Sequence, residues 1–227
     1  MTWASTSLLA RLTEAERSEL LALGVTRTLR PGTHLLVEGA RDTHVEVLRR
    51  GHVKVTMTIA GVPRLVAIRL PGELIGEFGA ITGNGRTATV TAGGEVVSTV
   101  IRQAEFLPYL ATHPRVAAQL TAAVGERLRS ANARRSEFVA FPVHVRLAQV
   151  LGDIAATCGQ PDPAGGVLLG VHLNQTELAT LVGAAEDTVQ KALRMLRRQG
   201  LLRTGYRRIT VLDPATLRHL VEEADRP

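Results

Sequence analysis

The chain has 227 residues, of which 45% are hydrophobic and 21% charged, and its formal net charge is +6 at pH 7. A chain of this length can bury a full core in one large or two small domains, since domains average roughly 150 residues. No apolar run approaches the roughly 18 residues that a membrane span needs, and residues 1–12 lack the features of a secretory signal. We therefore expect a cytoplasmic globular protein without a membrane partner.

Cysteine and histidine usage gives no sign of a metal site. Cys158, the single cysteine, cannot form an internal disulfide, and the seven histidines never occur three or four residues apart as on a metal-binding helix. We expect no metal and, in the absence of any nucleophile elbow or P-loop motif, no enzyme. The positive charge favours an anionic partner, and nucleic acid is one candidate.

The amino-terminal half begins with a short helix and continues as strands. Thr13 and Glu16 fit a capping box at the start of a helix over 13–23. From about Leu29 to Ile101, short apolar runs alternate with turns rich in glycine and proline, including Gly61 and Pro63. The runs lie at 45–48, 53–59, 65–70 and 87–90. Such closely spaced strands predict a β-sandwich or roll.

A long helix is predicted from about Pro114 to Val139, where apolar residues recur at helical spacing. This apolar stripe consists of Val116, Leu120, Val124, Leu128 and Ala131, and the flanks carry Gln119, Arg127, Arg134 and Arg135. A narrow stripe with polar flanks suits pairing with a second copy of the helix. An amphipathic helix lying on the β domain fits the same spacing almost as well.

The carboxy-terminal part reads as a separate helical domain after Pro142. A helix is expected over 143–158, followed by a turn-rich connection over 159–170. Asn174 then caps a short helix that ends at Gly183. A second helix follows almost at once, from Glu186 to Arg198, which is the spacing of a helix-turn-helix.

The second of these helices has the chemistry of a helix that reads base edges. Its polar face carries Asp187, Gln190, Lys191, Arg194 and Arg198. Gln190 and Lys191 can reach groove edges, Asp187 can accept from a cytosine amino group, and the arginines can neutralise phosphates. A solvated helix face beside a basic hairpin is the alternative interpretation.

A basic hairpin follows the second helix. Leu201–Arg203 and Arg207–Leu212 flank Thr204-Gly205 as two short strands would, and this hairpin is predicted to be a wing. Residues 174–212 contain seven basic and three acidic residues, so they hold most of the excess charge. We therefore predict that Leu173 to Leu212 form a winged helix-turn-helix that binds double-stranded DNA.

Three blocks make the chain resemble the cyclic-AMP receptor and fumarate-nitrate regulator (CRP/FNR) superfamily over nearly its whole length. They are Pro71-Gly-Glu-Leu-Ile-Gly-Glu-Phe-Gly79 with Arg86-Thr87-Ala88, the long helix ending near Phe138, and Leu173-Asn-Gln-Thr-Glu-Leu-Ala-Thr-Leu-Val-Gly183 continuing through Thr188-Val189. The resemblance implies an α+β fold in three parts. These are a β-roll of the cyclic-nucleotide-binding, jelly-roll type (1–112), a dimerisation helix (113–139) and a winged helix-turn-helix domain (140–227).

The resemblance also implies an effector site for a cyclic nucleotide, cAMP or cGMP. By position, Gly76 would let the backbone approach the ligand, Glu77 would bond the ribose hydroxyl, and Arg86 with Thr87 would hold the phosphate. An ion pair between Glu77 and Arg86 that needs no ligand is the alternative. Where cAMP-binding relatives place hydroxyl residues against the base, this chain has Ala131 and Asn132.

At the DNA, the resemblance implies a homodimer that binds a pseudo-palindromic operator and works with RNA polymerase. The expected DNA-binding residues are Thr176, Glu186, Asp187, Thr188, Gln190, Lys191, Arg194, Arg198 and Arg207. Glu186 stands where relatives commonly have a guanine-reading arginine, so the operator is expected to differ. Two alternatives stay open, namely a ligand-independent regulator with a degenerate pocket and a small-molecule-binding module for protein interaction.

Overall fold

The computed structural model describes residue 3 and residues 6–224, without the side chains of Arg135 and Val139. The described chain forms two compact units, the first ending at Ser130 and the second beginning at Ala131. Within the described residues, none of the helices combines the length and the apolar character needed to cross a membrane. The predicted domain boundaries remain a prediction.

The first unit is a roll of short strands, with helices before and after the strands in sequence and one short helix between β6 and β7. Its helices are α1 (Leu8–Arg11), α2 (Glu14–Ala22), α3 (Glu77–Thr82), α4 (Gln103–Thr112) and α5 (Pro114–Ala140), the last of which extends past Ser130. Its strands are β1 (Val25–Leu29), β2 (His34–Leu36), β3 (Val45–Arg50), β4 (Val53–Ile59), β5 (Val62–Arg69), β6 (Leu74–Ile75), β7 (Thr89–Ala92) and β8 (Val96–Ile101). Helix α2 begins with the predicted capping box, in which the Thr13 side chain accepts from the backbone N–H of Glu16.

The strands form two antiparallel four-stranded sheets, in the orders β1-β8-β3-β6 and β2-β7-β4-β5. The predicted sandwich or roll is therefore confirmed. Pro63 was expected in a turn, but it lies in β5 and pairs with Thr58 of β4. The turn is made by Ala60 and Gly61, both with positive φ, and β5 is an edge strand, where proline is tolerated.

Helix α5 contacts the β-roll along part of its apolar stripe, and its pairing with a second copy remains a prediction. Val116 and Leu120 are buried in the core of the first unit with Phe106 of α4. One and two turns further along, the side chains are more exposed, and Leu128 is 61% exposed. The start of the helix therefore packs on the β-roll, while an apolar residue further along remains open to solvent.

The second unit contains the predicted helices and a small sheet. Its elements are α6 (Val143–Cys158), β9 (Gln160–Pro161), β10 (Val167–Leu168), α7 (Gln175–Val182), α8 (Glu186–Arg198), β11 (Leu202–Gly205), β12 (Arg208–Val211) and α9 (Pro214–Ala224). The stretch 159–170, expected to be a turn-rich connection, also contains β9 and β10, which extend the hairpin into a sheet of order β11-β12-β10-β9. Two-residue strands carry too little alternation to be recognised in a sequence.

The predicted hairpin turn is wrong by two residues. Thr204 and Gly205 belong to β11, Gly205 pairs with Arg208, and the turn is made by Tyr206 and Arg207. The sequence suggested a turn at the glycine, because glycine adopts positive φ without strain. Here Arg207 adopts the positive φ of 55° instead.

Asp162 anchors the sheet of the second unit. Its side chain accepts hydrogen bonds from Thr210 Oγ1 at 2.8 Å, Arg203 Nη2 at 2.9 Å and the Ala164 N–H at 3.0 Å. The bonds from Ala164, Thr210 and Arg203 lower the pKa of Asp162 from 3.8 to about 2. The ionised carboxylate therefore ties β11 and β12 to the loop before β10.

We predict that Asp162→Asn lowers the unfolding temperature of the protein at neutral pH. Because the folded pKa of about 2 is below the ordinary 3.8, the contribution of the carboxylate is full above pH 4 and is lost as the pH falls toward 2. Thermal unfolding followed by circular dichroism should thus show a difference from wild type that narrows below about pH 4. Asp187→Asn, the same change at an exposed site of this unit, is the control; an equal effect there would refute the assignment.

Candidate functional site

The predicted effector site lies at the start of α3 in the first unit. Gly76 immediately precedes the helix with a φ of 84°, a conformation that favours glycine. A Cβ atom at this position would lie 2.7 Å from Arg86 Nη1 and 3.0 Å from the His44 carbonyl oxygen. Glycine is therefore required here both by the backbone conformation and by the close approach of a buried guanidinium.

Arg86 is buried inside the roll and makes bonds to three other residues. Its side chain is 2% exposed, and Nε donates to Asp42 Oδ1 at 2.6 Å in a salt bridge. Nη1 donates to the Gly76 carbonyl at 2.9 Å, and Nη2 donates to the His44 carbonyl at 2.6 Å. The residue expected to hold a phosphate is thus paired with a carboxylate of the chain itself.

Glu77 does not pair with Arg86, so the predicted ligand-free ion pair between these two residues is not formed. Its carboxylate, 8% exposed, accepts from Arg127 Nη1 at 2.7 Å. Arg127 Nη2 also donates to the Leu74 carbonyl at 2.7 Å and to Glu73 at 3.1 Å. Arg127 is therefore a member of the buried site, whereas its helical spacing suggested a solvated flank.

A chain of polar side chains continues from Asp42 into the roll. His44 lies between two carboxylates, with Nδ1 3.4 Å from Asp42 Oδ2 and Nε2 3.4 Å from Glu46 Oε1. Glu46 is fully buried and accepts from Ser98 Oγ and Arg27 Nη2, each at 2.5 Å. Burial acts to raise the pKa of Glu46, but the nearby His44 ring and the hydrogen bonds from Ser98 and Arg27 outweigh it and lower the pKa. Glu46 is therefore ionised inside the roll and balances nearby positive charge.

The other predicted effector residues are exposed. Thr87 lies in a bend just before β7, and Ala131 and Asn132 lie on α5 in the second unit. The backbone carbonyl of Asn132 accepts from Ser136 Oγ at 3.4 Å. Their roles at a phosphate or base remain predictions. Among the described residues, no group of three or more histidine, cysteine or acidic side chains could hold a metal ion.

The helix-turn-helix consists of α7 and α8. Asn174 caps α7 in a capping box with Glu177, as predicted, and Gly183 ends it with a φ of 66°. The apolar side of α8, with Val189, Ala192 and Leu196, is buried in the core of the second unit. Opposite that side, most of the predicted DNA-binding residues of α8 are exposed, namely Glu186, Asp187, Thr188, Lys191, Arg194 and Arg198, while Gln190 is half-buried.

Two contacts across the turn orient side chains at the start of α8. Thr176 Oγ1 donates to Glu186 Oε1 at 2.7 Å, which joins two predicted DNA-binding residues. The side-chain amide of Gln190 donates to that of Gln175 on α7. The turn itself is held by buried Arg146, whose Nη1 donates to the carbonyls of Val182 at 2.8 Å and Gly183 at 3.2 Å. The exposed face of α8 is therefore preorganised by α6 and α7.

The wing tip lies beside α8 and is built around its turn. Tyr206 is 89% exposed, and Arg207, a predicted DNA-binding residue, follows it with its left-handed backbone. His172 Nδ1 donates to the Arg207 carbonyl at 2.6 Å and so braces the turn. A cleft between α8 and the wing is lined by Asn174, Gln175, Gln190, Arg194, Arg197 and residues 204–209, among others.

Sequence reasoning missed several residues at both sites. Asp42, His44 and Arg127 join the first site only through long-range contacts, which carry no local sequence signal. At the second site it missed Gln175 and Tyr206. The exposed aromatic could have been suspected, since the chain has only two tyrosines and this one stands between glycine and two arginines.

Two protein families match the chain. The family described as a cyclic nucleotide-binding domain matches residues 26–113, and the family described as a Crp-like helix-turn-helix domain matches residues 145–220. The first range contains Gly76, Glu77 and Arg86, and the second contains α7, α8 and the wing. Both parts of the resemblance drawn from the sequence are confirmed, as is the α+β fold with an amino-terminal roll, a long helix and a carboxy-terminal helix-turn-helix.

Individual relatives agree with these matches. The chain is 28% identical over 209 residues to the CRP-like cAMP-activated global transcriptional regulator of Mycobacterium tuberculosis, covering 89% of this chain and 92% of that protein. It is 30% identical over 156 residues to the transcriptional regulator LdrP of Thermus thermophilus, covering 68% and 75%. The solved structure of a CRP/FNR family regulator from Thermus thermophilus has the same fold, with a TM-score of 0.74 at 23% identity over 87% of this chain and 98% of that one.

We predict that Arg207→Gly separates the stability of the wing from its affinity for DNA. Glycine relieves a left-handed conformation that costs a non-glycine residue about 1–2 kcal/mol, so the unfolding temperature should not fall. Loss of the cation should weaken DNA binding and reduce the slope of log affinity against log salt by about one. Fluorescence anisotropy with labelled duplex DNA at several salt concentrations measures both quantities. Arg207→Lys, which keeps the charge, is the control, and an unchanged salt slope in the glycine variant would rule out a phosphate contact.

Proposed function

The chain belongs to the CRP/FNR superfamily of transcription regulators, and on that premise we propose that it is a homodimer that binds a pseudo-palindromic DNA operator under the control of a cyclic nucleotide, cAMP or cGMP. The observation that carries the proposal is the exposed polar face of α8 beside a basic wing, with the opposite face of α8 buried. RNA polymerase is the expected second partner of such a regulator at a promoter, and the cytoplasm is its expected location.

The geometry of the second unit supports DNA as the partner. A helix whose polar face projects beside a hairpin can enter the major groove while the hairpin contacts the neighbouring backbone. Arg194 and Arg198 supply positive charge for phosphates, and Gln190 and Lys191 supply donors for base edges. Glu186 and Asp187 accept hydrogen bonds, which suits the amino groups of cytosine or adenine and disfavours guanine.

The first unit supports an anionic effector. Arg86 places a guanidinium in a roll interior shielded from water, where a single phosphodiester charge is attracted more strongly than in solvent. Glu77 begins α3 beside Gly76 and offers a carboxylate that can accept from a ribose hydroxyl. These are the residues of this chain that would hold the phosphate and the sugar of a cyclic nucleotide.

Exposed apolar residues support pairing with a second copy. Phe78 is 54% exposed and Leu128 is 61% exposed, although both are large and apolar. Their sequence neighbours Glu77 and Arg127 form an ion pair, so both apolar residues stand next in sequence to the point where α3 is joined to α5. Apolar surface at such a point is typical of an interface. A dimer would also place two copies of α8 on two related half-sites of DNA.

Control by the effector would act through the relative stability of two arrangements of the dimer. A ligand that binds one arrangement better shifts the population toward it, and DNA affinity changes by the corresponding free energy. A ligand-independent regulator is the second candidate function, and one observation favours it. The pairing of Arg86 with Asp42 completes the site without any ligand.

The direct test of DNA binding is selection of bound sequences from random duplex DNA, without nucleotide and with cAMP or cGMP. We expect two inverted half-sites, with stronger enrichment when the active nucleotide is present. A single unpaired half-site would contradict the dimer, and equal enrichment in all three selections would favour the ligand-independent regulator. Failure to enrich any sequence would overturn the proposal as a whole.

Within the selected operator, Arg194→Ala and Gln190→Ala should have different effects. Loss of a phosphate contact should weaken binding to all sequences alike and lower the salt slope by about one. Loss of a base contact should change the preferred base at one position of each half-site, at about 1–3 kcal/mol. Competition assays against single-base operator variants distinguish a uniform loss of affinity from a change in base preference. Arg218→Ala, an exposed arginine of α9, is the control for charge.

For the effector, isothermal titration of cAMP and cGMP into the protein should show binding that Arg86→Ala abolishes. The arginine provides the fork that matches a phosphate, and Arg86→Lys, which keeps the charge but lacks that fork, should bind weakly. Arg64→Ala, an exposed arginine of β5, controls for the loss of one positive charge. Retained affinity in a folded Arg86→Ala protein would exclude Arg86 from the phosphate site.

A further inference from the structure

We propose that the carboxylate of Asp42 binds Arg86 in the place of a ligand anion, and that a cyclic nucleotide has to displace this carboxylate from the guanidinium before its phosphate can bind. Asp42 thereby sets the affinity of the pocket for cyclic nucleotides. The inference rests on the proposed cyclic-nucleotide control and identifies the residue that opposes it.

The hydrogen bonds of Arg86 show why the phosphate and Asp42 compete. A guanidinium has five N–H groups, and a phosphate binds best when two parallel N–H groups point at it. In this structure all three nitrogens of Arg86 already donate, Nε to Asp42 and the two Nη atoms to the carbonyls of Gly76 and His44. The side of the fork that includes Nε is therefore closed to a phosphate while Asp42 is in place.

Charge works in the same direction. The salt bridge with Asp42 neutralises Arg86, so an incoming phosphodiester meets a neutral pair instead of a cation. It also meets the carboxylate itself, and two anions on one guanidinium repel each other. A phosphate gains the full attraction of Arg86 only after Asp42 has left.

Burial identifies Asp42 as the partner that moves. The side chain of Asp42 is 41% exposed, whereas that of Arg86 is 2% exposed. The carboxylate can turn toward solvent at low cost, but the guanidinium cannot leave the roll without breaking its bonds to two backbone carbonyls. Those same two bonds hold Arg86 in place without Asp42, so removal of the carboxylate should free the fork and leave its position unchanged.

The decisive experiment compares cAMP and cGMP binding to wild type and Asp42→Asn by isothermal titration calorimetry. The asparagine keeps the size of the side chain and removes its charge. We expect at least about tenfold tighter binding of the nucleotide that wild type prefers, which corresponds to about 1.4 kcal/mol. Glu95→Gln removes a carboxylate elsewhere on the same unit, 61% exposed and paired with Arg50, and should leave the affinity unchanged.

Each result has a distinct meaning. If wild type shows no heat and Asp42→Asn binds, Asp42 blocks the site and the inference holds. If wild type binds and Asp42→Asn binds equally or more weakly, the inference is wrong while the proposed cyclic-nucleotide control stands. Absence of binding by both folded proteins overturns both. Should Asp42→Asn fail to fold, as judged by circular dichroism, Asp42→Ser repeats the test. If Glu95→Gln tightens nucleotide binding as much as Asp42→Asn does, the effect comes from net charge and the inference is wrong.

Discussion

A buried guanidinium is the constraint on which the first unit depends. Arg86 is almost fully enclosed by the roll, and an isolated charge in such a place costs several kcal/mol in lost hydration. The cost is offset by bonds from one guanidinium to the loop before β3 at Asp42 and His44 and to the turn before α3 at Gly76. The same bonds join two segments distant in sequence, so the charge that makes the site attractive to an anion also organises it.

The remaining charges of the roll obey the same requirement. Glu46 is enclosed and ionised, and it is compensated by Arg27, Ser98 and His44. Glu77 is compensated by Arg127 of α5. Arg86, Glu46 and Glu77 therefore each have hydrogen-bonding partners inside the unit, as a stable polar network requires. A ligand that enters this network has to break bonds that already exist. Its affinity therefore reflects only the difference in free energy between the bonds it forms and the bonds it replaces.

The helix-turn-helix of the second unit has a different distribution of charge. The charged residues of α8 lie on its exposed face. Arg146 of α6 is buried instead, where it binds two carbonyls at the turn and lies 5.3 Å from the ring centroid of Phe138. Phe138 belongs to the last turn of α5, so this contact connects the end of the long helix with the turn that sets the position of α8.

Local signals explain what could be predicted from the sequence. Local signals predicted α6, α7 and α8 close to their observed bounds, since the break at Pro142, the caps Asn174 and Gly183 and the apolar stripe of α8 act within one or two turns. The wing turn was misplaced because tertiary support from His172 lets Arg207 adopt a conformation that local rules assign to glycine. Asp42 and Arg127 were missed because their partners lie 44 and 50 residues away, and no pattern within a window records such pairs.

Asp42 shows how folding and binding make opposite demands on one residue. A roll that folds before its effector arrives has to contain Arg86 without a phosphate, and an unpaired buried charge would destabilise it. An internal carboxylate removes that penalty in the free protein and creates a penalty for the ligand, because the apparent affinity is reduced by the fraction of molecules in which the site is closed. The partial exposure of Asp42 keeps this second penalty limited, since the carboxylate regains hydration when it turns outward. A carboxylate at the rim can therefore stabilise the empty roll and still be displaced from Arg86 by a stronger anion.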